Sequence, residues 1–243
     1  MFGKTTAMRV AIPAALCALA LATTSAASAE PADATKQWVT VAKAQLGPVN
    51  GTAATGESVI VLRGTQADVW VKAIGLVPAL PHPQHIRVNG RGVCPEESAD
   101  VNQDGVVSTT EGVNSYGDIG VSLTASGDTD KSSAFTSGRF PAAQYGIHTY
   151  HRTITLTDEV AAKIRAGNAV LVLQGVDINR NGAYDGGVQS DVNPALSLEE
   201  TSPTACGSYW ARSGWDIDAD LNVNSDLDFS LDVDFGPGYG MSH

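Results

Sequence analysis

Short β-branched segments separated by turn-forming residues are the feature that most restricts the fold of this chain. In several of them apolar and polar residues alternate, which places the apolar side chains on one face of a strand. Gly, Asn, Asp and Pro fill the intervals and favour turns. Many short strands joined by long loops predict an all-β fold, a β-sandwich of two sheets with Greek-key connections. The predicted strands are Trp38–Ala42, Ser58–Leu62, Ala67–Lys72, Ile119–Leu123, His151–Leu156 and Ala169–Leu173.

One helix is predicted directly after the fifth of these strands. Thr157 or Asp158 can cap its N-terminus, and Gly167 or Asn168 can end it. Its apolar face would consist of Val160, Ala161 and Ile164.

The N-terminus has the pattern of a secretory signal sequence. Lys4 and Arg9 precede an apolar stretch, Val10–Ala22, that is too short to span a bilayer. Small residues at 27 and 29 then offer a cleavage site. We therefore predict a signal peptide over residues 1–29, a mature N-terminal segment over 30–36, and a secreted, extracellular protein without membrane insertion.

The charge balance is strongly acidic. The chain has 15 Lys and Arg against 26 Asp and Glu, a formal net charge of −11. Such a charge argues against nucleic acid or an anionic membrane as a partner and suits a protein that binds cations. We expect the partner to be extracellular, and the sequence predicts neither its identity nor the oligomeric state.

Two cysteines, Cys94 and Cys206, remain once the signal is removed. In an exported protein a pair of cysteines most simply forms one disulfide. Two free thiols are the alternative, and a metal site built on these cysteines lacks further thiols to complete it.

The residues from Asp100 to Glu111 have the spacing of a calcium loop. Oxygen-bearing side chains occupy the first, third, fifth, ninth and twelfth positions, and Gly105 occupies the sixth. A surface turn is the alternative, because Asp-Gly pairs are common in turns. The predicted Ca²⁺ ligands are the side chains of Asp100, Asn102, Asp104 and Glu111, the carbonyl of Val106, and Ser108 directly or through water.

The residues around this loop do not resemble a helix–loop–helix unit. Cys94-Pro95 lies shortly before it, and Gly112, Asn114 and Gly117 follow it. We predict no helix at its exit and none of the helix opening that calcium sensors use.

A second stretch, from Asp177 to Asp185, repeats the spacing but has Val188 at the twelfth position. A remote acid such as Asp191 or water would have to complete the site, and a simple turn is again the alternative. The predicted ligands are Asp177, Asn179, Asn181, the carbonyl of Ala183, and Asp185.

Two pairs of histidines are candidate transition-metal ligands. His82 and His85 lie in a predicted loop, and His148 and His151 would fall on opposite faces of a strand. Each pair supplies at most two ligands where a site needs at least three, so hydrogen-bonded or exposed histidines are the alternative.

Beyond residue 207, Asp and Asn alternate with apolar residues from Asp216 to Phe235. Like charges on one face repel, so we predict an acidic, flexible or weakly strand-like tail over residues 208–243. Such a tail could bind cations weakly or serve as an adhesion or assembly element, and a structural strand is the alternative.

Ten segments between residues 37 and 207 together carry a resemblance to a known family. They are Gly75-Leu76, His85-Ile86, Cys94-Pro95, Ala99-Asp100, Tyr116-Gly117, Gly127-Asp128, Arg152-Thr153, Ala169–Leu173, Asp191–Leu198 and Ala205–Gly207. Taken in order, they resemble the copper/zinc superoxide dismutase-like β-sandwich and the related CHRD-type domains of secreted bacterial proteins. The resemblance covers residues 37–207 and implies a Greek-key sandwich in which a Cys94–Cys206 bond ties the metal-loop region to the last strand.

The copper chemistry of this family does not carry over to these residues. Arg87 and Gln174 stand where the resemblance places the second and third copper-binding histidines, and Arg does not ligate copper. His82 and His85 would then be remnants of a transition-metal site or part of a different metal site, with Ca²⁺ rather than copper or zinc as the cofactor. We predict a non-catalytic, calcium-binding extracellular module with a binding or structural role. The alternative is a divergent, superoxide dismutase-like oxidoreductase with copper held by His82, His85 and either His148 or His151.

Overall fold

The computed structural model describes residues 38–215, 217–223 and 229–235. The predicted signal peptide and the segment 30–36 lie outside the described residues. The helices are α1 (Thr109–Tyr116), α2 (Asp158–Arg165) and α3 (Leu198–Thr201). The strands are β1 (Trp38–Pro48), β2 (Thr55–Arg63), β3 (Gln66–Ile74), β4 (Gln84–Asn89), β5 (Gly117–Ser122), β6 (His148–Thr155), β7 (Ala169–Gln174), β8 (Pro203–Ser208), β9 (Trp210–Trp215), β10 (Ile217–Val223) and β11 (Phe229–Phe235).

Nine of these strands form one curled antiparallel sheet. Its order is β5-β4-β7-β8-β1-β2-β3-β6, and β9 also pairs with β1. The long strand β1 pairs with β2 along one edge, and on the other edge with β9 first and then with β8 at Gly47 and Pro48. Because β1 reaches both groups of strands, it joins them into a single sheet that curls around the main core.

The main core consists of alternate residues from the strands and one face of α2. Most strands contribute side chains to one large cluster, since alternation sends every second residue to the same side. The cluster includes Ile60, Leu62, Val69, Val71, Ile86, Val88, Leu171, Leu173, Val160 and Ile164.

The opposite side of β4, β7 and β8 is also buried, beneath the long loops. Val170, Val172 and Cys206 pack there against Tyr116 of α1 in a second cluster. Both sides of β7 are therefore enclosed, which agrees with its uninterrupted apolar run. The loops that carry the candidate site lie over this second side.

The six predicted strands and the predicted helix are confirmed. Thr157 caps α2 by accepting a hydrogen bond from the amide of Val160 at 3.3 Å. The prediction that His82 to Arg87 form a loop was wrong in its second half, because β4 begins at Gln84. Polar and apolar residues alternate from His85 to Asn89 as they do in a half-exposed strand, but both sides of this strand are buried.

The disulfide between Cys94 and Cys206 is confirmed. Its sulfur atoms are 2.05 Å apart and its Cα atoms 5.7 Å apart. It joins the segment that leads into the first candidate loop to β8, in the middle of the sheet.

The chain continues as strands beyond residue 207, where we predicted a flexible or weakly strand-like tail. Strand β9 pairs with β1 from Trp38 to Lys43, so the sheet extends past the predicted boundary. Strands β10 and β11 form a separate antiparallel hairpin in which Asp218 lies opposite Asp234 and Asp220 opposite Asp232. The rest of the tail lies outside the described residues. In the part of the chain that the structure describes, none of the helices is both long and apolar enough to cross a membrane.

Candidate functional site

The first loop, Asp100 to Glu111, has the backbone of a tight oxygen-lined turn. Gln103 and Gly105, at its fourth and sixth positions, have φ angles of 60° and 89°. Glycine adopts this left-handed conformation without steric cost, which explains its presence at the sixth position. A short 3₁₀ turn, Glu97–Ala99, leads into the loop in place of an entering helix.

The side chains at the first, third and fifth positions fold inward onto the amides of the same loop. The Asp100 carboxylate accepts from the amides of Asp104 at 3.2 Å and Gly105 at 2.9 Å. Asn102 Oδ1 accepts from Asp104 N at 2.9 Å, and Asp104 Oδ1 accepts from Val106 N at 2.9 Å. Three oxygen-bearing side chains are thereby held on the concave side of one turn.

Glu111 closes this loop from its twelfth position. Its Oε1 accepts from the amides of Val101 at 3.1 Å and Asn102 at 3.2 Å, and its Oε2 accepts from Ser108 N at 2.9 Å. The Ser108 hydroxyl in turn accepts from Glu111 N at 3.3 Å. This reciprocal pair is a capping box, so the residues that close the loop also start α1.

The prediction that no helix follows the loop was wrong, because α1 begins at Thr109. Gly112 was one of the residues behind that prediction, but a Cβ atom there would lie 2.4 Å from the ring of Tyr116. Tyr116 fills that space, and its hydroxyl donates to Thr109 O at 2.8 Å. The glycine is required for packing within the helix, and the helix ends at Gly117 with a φ of 85°.

Side chains from distant parts of the chain fix this loop to the sheet. Asn50 Oδ1 accepts from Val107 N at 2.7 Å, and Asn50 Nδ2 donates to Val107 O at 3.0 Å. The buried hydroxyl of Thr109 donates to Thr201 O at 2.6 Å and accepts from Gln174 Nε2 at 2.8 Å. The loop therefore has an exposed edge that carries the predicted ligands, and its other side is hydrogen-bonded to the rest of the fold.

The second loop, which starts at Asp177, has the same architecture. Arg180 and Gly182, again at the fourth and sixth positions, have φ angles of 61° and 85°. Asp177 accepts from the amides of Asn181 at 3.0 Å and Gly182 at 2.7 Å. Asn179 Oδ1 accepts from Asn181 N at 3.1 Å, and Asn181 Oδ1 accepts from Ala183 N at 2.9 Å. Position by position, these bonds match those of the first loop.

Glu199 of α3 occupies in the second loop the place that Glu111 occupies in the first. Its Oε1 accepts from the amides of the second and third loop positions, Ile178 at 3.0 Å and Asn179 at 3.4 Å. Its Oε2 accepts from Asp185 N, the ninth position, at 2.9 Å, and from Gly186 N at 2.9 Å. The side chain is almost completely buried, with 1% of its surface exposed.

The sequence did not reveal Glu199 as a candidate, because it lies outside any twelve-residue window. Asp191, the remote acid that we named, instead accepts from Thr110 N at the start of α1 at 2.9 Å. The available signal was the Ser197 to Glu200 stretch, which has the form of a helix start with acids in its first turn.

Asparagine NH₂ groups face the carboxylates of both loops. Asn102 Nδ2 donates to Asp104 Oδ2 at 3.0 Å, and Asn181 Nδ2 donates to Asp185 at 2.9 Å. Hydrogen bonds from Asn181 and then Asn179 lower the pKa of Asp185 below its usual value. Within the described ranges, no three His, Cys, Asp or Glu side chains are already grouped to hold a metal ion. A cation that bound at either loop would therefore reorient these Asn and Asp side chains. It would replace the Asn NH₂ groups that donate to the carboxylates.

His82 and His85 are buried and hydrogen-bonded to neutral partners. His82 contacts Gln174 O at 2.8 Å and Val77 O at 3.1 Å, and the Tyr184 hydroxyl lies 3.2 Å from its Nε2. His85 Nε2 lies 3.2 Å from Gln174 Oε1. Because Gln174 Nε2 donates to Thr109, its Oε1 must accept, so His85 carries its proton on Nε2.

His148 and His151 lie on opposite faces of β6, as predicted. His148 is fully buried, with its Nε2 3.0 Å from Gln84 Oε1, whereas His151 is exposed and stacks on Trp70. Among the described residues, no third His, Cys, Asp or Glu side chain forms a group with His82 and His85. This arrangement does not provide the three converging ligands that the copper alternative requires.

Arg87 is enclosed between the sheet and α1. Its guanidinium lies 4.4 Å from the centre of the Tyr116 ring, and Nη1 donates to Gly117 O at 3.2 Å. Among the described residues, its Nε and Nη2 atoms have no hydrogen-bond partner. Burial lowers the pKa of Arg87, and burial also raises the pKa of Tyr116 to about 12. The stacked Arg87 and Tyr116 side chains fill the region next to His85 and pack between α1 and the sheet.

No protein-family model matches the chain, and no curated protein matches it.

Proposed function

We propose that this protein is a secreted, non-catalytic, calcium-binding β-sandwich module with a binding or structural role outside the cell. The correspondence between the two loops carries the proposal. Both have left-handed residues at positions four and six, inward oxygens at positions one, three and five, and a carboxylate that bridges positions two, three and nine. A simple turn needs no such closing carboxylate.

The oxygen composition of the loops favours Ca²⁺ over other cations. Ca²⁺ takes six to eight oxygen ligands in flexible geometry, whereas Mg²⁺ requires an octahedral set and keeps several waters. In the first loop the ligands would be those predicted from the sequence. In the second loop Glu199 would join Asp177, Asn179, Asn181, Asp185 and the carbonyl of Ala183. The acidic net charge of −11 also favours a cation.

Two further observations support a role outside the cell. Disulfides persist in oxidising compartments, and Cys94–Cys206 forms one here. The residues at 1–29 have the composition of a secretory signal. Calcium is abundant outside cells, so loops of modest affinity would be filled there.

Calorimetric titration of the purified protein with Ca²⁺ tests the proposal. We expect saturable binding at two sites, and at one site in the variant Asp100→Asn/Glu111→Gln, which removes two charges without changing side-chain shape. Asp130→Asn, an exposed acid outside both loops, is the control and should retain both sites. Absence of saturable binding to the unaltered protein at millimolar Ca²⁺ would overturn the proposal.

A further inference from the structure

The helix α3 contacts both loops through residues two positions apart. Glu199 closes the second loop, and the carbonyl of Thr201 accepts from Thr109 Oγ1 at 2.6 Å. Thr109 is the first residue of α1, and Glu111, which closes the first loop, is the third. All three residues that make this connection, Glu199, Thr201 and Thr109, are at most 2% exposed.

Two more contacts join the first loop to the segment that contains α3. Asp191 accepts from Thr110 N at 2.9 Å, and Asn50 Nδ2 donates both to Val107 O at 3.0 Å and to Pro203 O at 2.9 Å. The sixth-position glycines of the two loops, Gly105 and Gly182, also line one cleft. The loops are therefore neighbours with a shared support.

Helix α3, which supports both loops, is short and depends on its tertiary contacts for stability. A helix of four residues, Leu198–Thr201, does not form stably on its own, because nucleation of a helix is unfavourable. Its position is set by Glu199 against the second loop and by Thr201 against Thr109, together with backbone hydrogen bonds to neighbouring segments. A ligand that fixes one end therefore also favours the arrangement at the other.

We propose that Ca²⁺ binding at one loop strengthens Ca²⁺ binding at the other through α3. This inference rests on the proposed calcium-binding function. A cation in the second loop holds Glu199 and so positions the Thr201 carbonyl, which fixes Thr109 at the start of α1 and presents Glu111 to the first loop. Linkage requires the same factor in the reverse direction. Repulsion between the two cations opposes the effect, but the acidic ligands and solvent ions screen it.

Titration of single-site variants measures this coupling. Asp177→Asn/Glu199→Gln leaves only the first loop, and Asp100→Asn/Glu111→Gln leaves only the second. Without coupling, the product of the two dissociation constants of the unaltered protein equals the product of the two single-site constants. We expect the product in the unaltered protein to be smaller by about fivefold or more, the lower range of typical allosteric couplings.

Two further variants make the test specific to α3. Thr109→Val keeps the side-chain shape and every ligand but removes the hydroxyl that donates to Thr201 O and accepts from Gln174 Nε2, so we expect it to abolish the coupling while both sites still bind. Glu200→Gln removes a charge from α3 at a residue whose carboxylate accepts from Ser137, outside both loops, and should leave the coupling unchanged. Equal products, or a larger product in the unaltered protein, would overturn the inference while leaving two calcium sites. Coupling that persists in Thr109→Val would overturn the route through α3.

Discussion

At the scale of single residues, the buried imidazoles of His85 and His148 make the stability of this protein depend on pH. Burial, with a smaller effect of the Arg87 charge, lowers the pKa of His85 to about 3. Burial, with a smaller effect of His82, lowers the pKa of His148 to about 3. In the unfolded chain both return to the ordinary value of 6.5. Between pH 3 and 6.5 the unfolded state therefore binds more protons than the folded state, and stability is lost as the pH falls.

This dependence is measurable by denaturant unfolding between pH 7 and pH 4.5 in the presence of a chelator. As the pH falls, we expect the free energy of unfolding to decrease less steeply in His148→Gln than in the unaltered protein. The slopes should differ by the contribution of about one proton, roughly 1.4 kcal/mol per pH unit. His151→Gln, which changes an exposed histidine on the same strand, is the matched control and should keep the original slope. The same slope in all three proteins would contradict this account of the buried histidines.

Single residues also show how far sequence spacing identifies a site. The predicted ligands of the first loop could be identified because they lie within twelve consecutive residues, and the structure brings Asp100, Asn102, Asp104 and Glu111 to one turn. Glu199 could not be identified from the sequence, because only the folding of α3 against the second loop brings its carboxylate to that loop. A side chain that reaches a site from a distant element leaves no periodic signal in the chain.

At the scale of elements, the N-cap of α1 joins helix stability to the candidate site. Ser108 caps α1 and Thr157 caps α2, each by accepting from the amide of the third helical residue. Loss of such a cap costs about 1 kcal/mol. We expect Ser108→Ala and Thr157→Ala to reduce the free energy of unfolding by similar amounts in chelator, measured by urea denaturation.

The two variants should differ in calcium binding. Ser108→Ala also removes a predicted ligand and one half of the contact that orients Glu111, so its calcium dissociation constant at the first loop should rise several-fold. Thr157 contacts neither loop, and its variant should bind calcium as the unaltered protein does. Equal calcium affinities in the two variants would show that the cap of α1 and the site are independent.

Strands and helices were predictable from the sequence where the local pattern of residues matched the environment of that element in the fold. The strands at residues 58–62 and 169–173 and the helix with Thr157 as its cap have such patterns. Helix α1 was missed because Gly112 has a low intrinsic helix propensity, and the compensation comes from the ring of Tyr116 and from the capping box. Packing around a residue, which the linear sequence does not show, reversed the local preference.

At the scale of the whole molecule, the disulfide and the loops form one layer over the outer side of β4, β7 and β8. Cys94–Cys206 spans 112 residues and anchors the start of the first loop to β8. In the chain-entropy model, a cross-link of that length stabilises the folded state by roughly 4–5 kcal/mol. The mostly antiparallel β class followed from the sequence, whereas the route of the chain after residue 207 did not. The pairing of β9 with β1 joins residues more than 160 positions apart, for example Val41 with Arg212.

The melting temperature in calcium and in chelator tests the central claim most directly. A ligand at about 100 times its dissociation constant stabilises the native state by about 2.7 kcal/mol per site, which for a chain of this size raises the melting temperature by about 5–10 °C. We predict such a rise with calcium, a much smaller one with magnesium at the same concentration, and none in the double variant Glu111→Gln/Glu199→Gln. Coincident melting curves of the unaltered protein in saturating calcium and in chelator would contradict the claim that these two loops are calcium sites.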